Sequence, residues 1–83
     1  MKEDILQKIK EINEETKRIG EEIAEKVNND KELTTWFSKW SYGVGLLEQR
    51  GKVVMEEQKK LREQGWDIKI NMQSYELSYY GRI

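Results

Sequence analysis

Apolar residues open the chain at helical spacing. Ile5, Ile9, Ile12, Ile19, Ile23 and Val27 follow one another by three, four or seven positions, and Thr16 fills the missing step. That interval places all of them on one side of a helix, close to a coiled-coil repeat. Leu6 and Ala24 widen the stripe. The other side is charged, and Asp4–Lys8, Glu14–Arg18 and Glu22–Lys26 put an acid four residues before a base, an order that supports an exposed helix. A first helix is therefore predicted over residues 2–27, about 39 Å long. Gly20 is its one weak helix former.

Asn28-Asn29-Asp30 interrupts the pattern. Asn29 with Glu32 three residues later has the form of a capping box, which predicts a second helix over residues 30–64. Its stripe runs through Leu33, Trp36, Trp40, Val44, Leu47, Val54 and Leu61, broadened by Phe37, Tyr42, Leu46, Val53 and Met55. Gly43, Gly45 and Gly51 either admit a second helix at close range or break this arm between Tyr42 and Gly45. The preferred reading is a continuous or merely kinked helix. Gly65 stands where a left-handed residue ends a helix, with Trp66 and Leu61 placed for the hydrophobic contact of a Schellman cap.

Beyond Trp66 the period falls to two. Ile68, Ile70 and Met72 alternate with polar residues, as do Tyr75, Leu77 and Tyr79, and the two sets are out of phase across Gln73-Ser74. Strands at about 67–72 and 75–80, joined by a two-residue turn, would pair Met72 with Tyr75, Ile70 with Leu77 and Ile68 with Tyr79 on one face. Gln-Ser lacks the Gly or Asn that such a turn favours, so a longer loop or a strand donated to a partner is the alternative. The fold class is α+β and predominantly helical. A long antiparallel helical hairpin is followed by a short C-terminal β-hairpin, all in a single small domain spanning 1–83.

Composition narrows the function. Eighty-three residues bury a small core, and chains of this size commonly draw on disulfides, metals or self-association for stability. There is no cysteine and no histidine, so disulfides, thiolate sites and imidazole sites are excluded. That leaves helix packing or oligomerisation. No stretch approaches the length of a membrane span. The opening Met1-Lys2-Glu3-Asp4 has no apolar leader segment, and the expected location is the cytoplasm.

Catalysis finds little to work with. The Glu14-Glu15 and Glu56-Glu57 pairs fall on solvated helix faces, and Ser38, Ser41, Ser74 and Ser78 have no imidazole to activate them. Gly43-Val44-Gly45 is a fragment of a phosphate loop without its Lys-Ser/Thr. No catalytic, metal or cofactor residue is assigned, and a non-enzymatic protein with no small-molecule substrate is expected.

Three contact surfaces remain. The net charge of −1 divides unevenly: residues 1–30 carry 9 acids and 6 bases, residues 31–83 carry 7 acids and 9 bases. Glu14, Glu21, Glu22 and Glu25 could form an acidic stripe that mimics nucleic-acid phosphate. Arg50, Lys59 and Arg62, with Tyr79 and Tyr80 to stack on bases, would suit nucleic acid, but interleaved glutamates make that the weakest reading. Trp36, Phe37 and Trp40 are expected mainly in the core, with Phe37 and Trp40 as candidate interface anchors. The leading functional expectation is a protein-interaction or assembly protein that associates with itself. The alternative is a small inhibitor of a larger macromolecular machine, of the phage anti-defence type.

Overall fold

The computed structural model describes residues 2–83. It contains helix α1 (Lys2–Asn29), helix α2 (Trp36–Glu63), strand β1 (Trp66–Ile70) and strand β2 (Leu77–Arg82). The helices pack against each other and the two strands form an antiparallel hairpin, the α+β architecture expected from the pattern.

α1 runs two residues beyond the expected end, and Arg18 is bound by Glu15 and Glu22. The second helix begins at Trp36, not at Asp30. The Asp30 side chain is spent on a local turn, its Oδ1 accepting the Glu32 N–H at 2.9 Å. The capping box belongs instead to Thr35 and Ser38. The Ser38 N–H donates to Thr35 Oγ1 at 3.0 Å and the Thr35 N–H donates to Ser38 Oγ at 3.2 Å. From there α2 is unbroken through Gly43 and Gly45. A Cβ at Gly43 would meet Val27 at an ordinary 3.6 Å and one at Gly45 would meet nothing, so neither glycine is there for a close approach. The exit follows the sequence: Gly65 has φ +93° and its N–H donates to the Arg62 carbonyl at 2.9 Å.

In the hairpin, Ile70 faces Leu77 and Ile68 faces Tyr79, as the alternation predicts. Met72 and Tyr75 do not pair, and there is no two-residue turn. Asn71 closes a longer loop instead: its Oδ1 accepts the N–H of Gln73 at 2.8 Å and of Ser74 at 3.1 Å, and its carbonyl accepts the Tyr75 N–H at 2.7 Å. Asn supplies the local bonds that Gln-Ser lacks. The strands thus span 66–70 and 77–82, and Met72 is left in solvent.

The core lies at one end. Ile5 and Ile9 of α1, Val54 and Leu61 of α2, Ile68 of β1 and Leu77 of β2 form one buried cluster, with Ile12, Trp66, Ile70, Tyr75 and Tyr79 packed around it. Both outer edges of the hairpin are tied to helices by amide side chains. Asn13 accepts the Leu77 N–H at 2.8 Å and donates to the Leu77 carbonyl at 2.9 Å, and Gln58 donates to the Ile68 carbonyl at 2.8 Å. A two-stranded sheet has only edges, and these bonds occupy backbone groups that would otherwise be open to another strand.

The result is a rod of 48 × 16 × 14 Å with a radius of gyration of 15.2 Å. A compact domain of this length would have a radius near ~12 Å. The excess length is the far half of the helical hairpin, where no third element covers the two helices.

Candidate functional site

That far half has an unusual make-up. Residues 36–47 of α2 read WFSKWSYGVGLL, with Lys39 the single charge among twelve. A helix segment apolar on nearly all sides is normally buried. Here it is not. Trp36 is 77% exposed, Phe37 66% and Trp40 53%, and Tyr42 and Leu47 also lie open. The expectation that these aromatics form the core is corrected: burial in this half is confined to Thr16 and to Val27, which rests on α2 beside Gly43.

The aromatics are nevertheless ordered against each other. The Thr35 cap fixes the first turn of α2, and residues 36 and 40 then fall one turn apart on the same side. Their indoles stack with centroids 6.3 Å apart and planes 15° from parallel, and the Phe37 ring meets Trp40 at 6.2 Å. Beside them Lys26 of α1 lies over the Tyr42 ring at 5.9 Å. Ile19, Ile23, Val44 and Leu46 of the same half are half-buried. An exposed apolar surface of this kind, rimmed by charges, marks a contact site more often than a solvated one.

The other predicted contact residues are dispersed. Glu14, Glu21, Glu22 and Glu25 are exposed along α1, but Arg18 sits among them, held by Glu15 and Glu22. The hydrogen bond from Arg18 keeps the Glu15 carboxyl below its ordinary range, and the same bond raises the guanidinium above its own. The stripe is therefore partly neutralised.

The basic row does not assemble. Arg50 turns toward α1 and donates to Thr16 Oγ1 at 3.0 Å, whereas its Nε is buried without a hydrogen-bond partner. Arg62 is paired with Asp67 at 2.9 Å, and the exposed Lys59 lies with Glu56 and Glu63 alongside it. Tyr79 packs on Trp66 at 6.0 Å, and Tyr80 carries the Lys69 ammonium 4.6 Å above its ring. An open groove of about 390 Å³ at Ile12, Arg50 and Val53 is lined by Lys8 and by Glu11, Glu15 and Glu57, a mixture of signs that selects no particular ion.

Among the described residues no group of three or more acidic side chains is placed to hold a metal ion, and no helix is long and apolar enough to cross a membrane. No protein-family model, no curated protein and no solved structure matches the chain.

Two positioning residues escaped the sequence reading. Asn13 carries a signal, because it follows Ile9 by four and precedes Thr16 by three and so stands on the apolar face of α1. A polar residue there needs a partner, and Leu77 is that partner. Gln58, in the stripe between Val54 and Leu61, carries the same signal.

Proposed function

We propose that this protein acts without catalysis, by binding another protein through the bare apolar end of its helical hairpin. The observation that carries this reading is the exposure of Trp36, Phe37 and Trp40 on a well-capped, continuous helix. Such side chains cost solubility when they face water, and Trp is among the commonest anchors at protein interfaces. The absence of histidine and cysteine from the sequence supports a role in contact over one in chemistry.

The second reading is a small inhibitor of a larger machine that uses Glu14, Glu21, Glu22 and Glu25 as a phosphate mimic. Its support is the exposure of those four carboxylates, weakened by the interposed Arg18. Two variants captured side by side from host extract separate the readings. Replacing Trp36, Phe37 and Trp40 together by serine should abolish the bound set, while reversing Glu14, Glu21 and Glu22 to lysine should leave it in place. The opposite result would favour the acidic face and overturn the apolar one.

A further inference from the structure

The bare end has a shape and a charge that identify one occupant, and this step rests on the contact reading above. α2 carries a single stripe along its whole length. At Gly51, Val54 and Leu61 that stripe is covered by the β-hairpin. Continued upward in steps of three and four it runs through Leu47, Trp40 and Trp36, all exposed. The hairpin reaches no further than Gly51. A folded unit buries its apolar faces between two layers, and the upper half of the molecule has only one.

Area gives the size of the missing layer. The chain exposes 6214 Å², whereas a compact monomer of 10.0 kDa would expose roughly 5,200 Å². The excess of roughly 1,000 Å² is comparable to the roughly 800 Å² that each partner buries in a stable protein–protein contact. Charge then indicates the partner. Residues 16–47 hold 5 basic and 5 acidic side chains, so this half has no net charge and two copies of it meet without repulsion. A two-fold contact brings the same patch of both partners together and therefore requires a self-compatible surface.

We infer that the occupant is a second copy of this chain, and that the two upper halves pack as an antiparallel four-helix bundle around Trp36, Trp40 and Leu47. The two β-hairpins then stand at opposite ends of the assembly. Overlap is limited to the uncovered part of α2, about 24 Å of helix. Two 48 Å rods so overlapped make a particle about 70 Å long.

Sedimentation velocity from micromolar to millimolar concentration, with small-angle X-ray scattering at the upper end, tests this on the full chain. The expected result is a dimer with a maximum dimension near 70 Å. Trp40→Glu and Leu47→Glu should each sediment as folded monomers, with helical content by circular dichroism unchanged. Ile83→Glu, exposed beside Gly65 at the opposite end of the molecule, should remain a dimer. A wild-type monomer at millimolar concentration overturns the proposal while leaving the contact reading to stand or fall on its own capture test. A dimer that survives both glutamate variants, a side-by-side particle no longer than one rod, or an open-ended assembly overturns the arrangement.

Discussion

The Tyr75 ring rests on the bare backbone of Gly51. A Cβ at position 51 would lie 2.6 Å from Tyr75 Cε1 and 2.7 Å from Cζ. Tyr75 itself adopts φ +58°, a left-handed conformation that a bulky side chain rarely takes. The hairpin loop is thus bent to lay a ring across a helix at a position where only glycine leaves room.

Gly51→Ala is therefore expected to destabilise the protein even though alanine is the better helix former. Overpacking of this kind costs about 1–3 kcal/mol, against a propensity gain of about 1 kcal/mol. Gly20 and Gly45 provide the contrast, because a Cβ at either meets nothing within 4 Å. Gly20→Ala and Gly45→Ala should each stabilise by about 0.5–1 kcal/mol. Urea denaturation of the three variants checks the sign at each position. Adding Tyr75→Ala to Gly51→Ala should make the position tolerant of alanine.

Asn13 is expected to contribute through backbone bonds, not through packing. Asn13→Ala leaves the N–H and carbonyl of Leu77, a residue only 3% exposed, without their partners. Each unsatisfied group costs about 1–3 kcal/mol. Amide hydrogen exchange should show lost protection at Leu77 and its neighbours in β2 before any loss in the middle of α1. Uniform loss across the chain would assign Asn13 a general packing role instead.

Thr35→Ala removes the acceptor for the Ser38 N–H and should cost about 1 kcal/mol, with fraying of the first turn of α2. The same change at Thr34, outside the box, should be nearly neutral. Asn29→Ala, at the position where the sequence pattern sets a cap, should likewise leave the start of α2 unaffected. Chemical-shift-based helix limits for the three variants decide this.

Most of the architecture was legible because it depends on period. The seam from Ile5 to Val27, the Gly65 exit and the Ile68–Tyr79 and Ile70–Leu77 pairs all follow from which residues share a side. Misread features depend on competition between local bonds. At the expected cap Asp30 holds a local turn, and the capping bonds are made by Thr35 and Ser38 instead. Gln73-Ser74 lost to Asn71 for the same reason. The aromatic cluster was misplaced on different grounds. Apolar composition indicates that a surface wants covering, but not whether the same chain is long enough to cover it. Here the hairpin stops at Gly51 and the covering stops with it.

Replacing Trp36 and Phe37 by serine should leave the melting temperature of the isolated chain almost unchanged at micromolar concentration, since both side chains are largely in solvent. Leu61→Ala should cost about 2–5 kcal/mol, because Leu61 is fully buried in the cluster with Ile9 and Ile68. A large destabilisation by the serine changes would show that these aromatics belong to the fold of the single chain.

The three tryptophans report on the bare surface most directly. In a single chain Trp36 is the most exposed, Trp40 follows, and Trp66 is half-buried beside Tyr79. Relaxation of their indole N–H signals by a dissolved paramagnetic agent, recorded from micromolar to millimolar concentration, measures which of them water reaches. In the associated state Trp36 and Trp40 should be protected and Trp66 should become the most strongly relaxed of the three. Trp36 remaining the most strongly relaxed indole at every concentration would contradict the account.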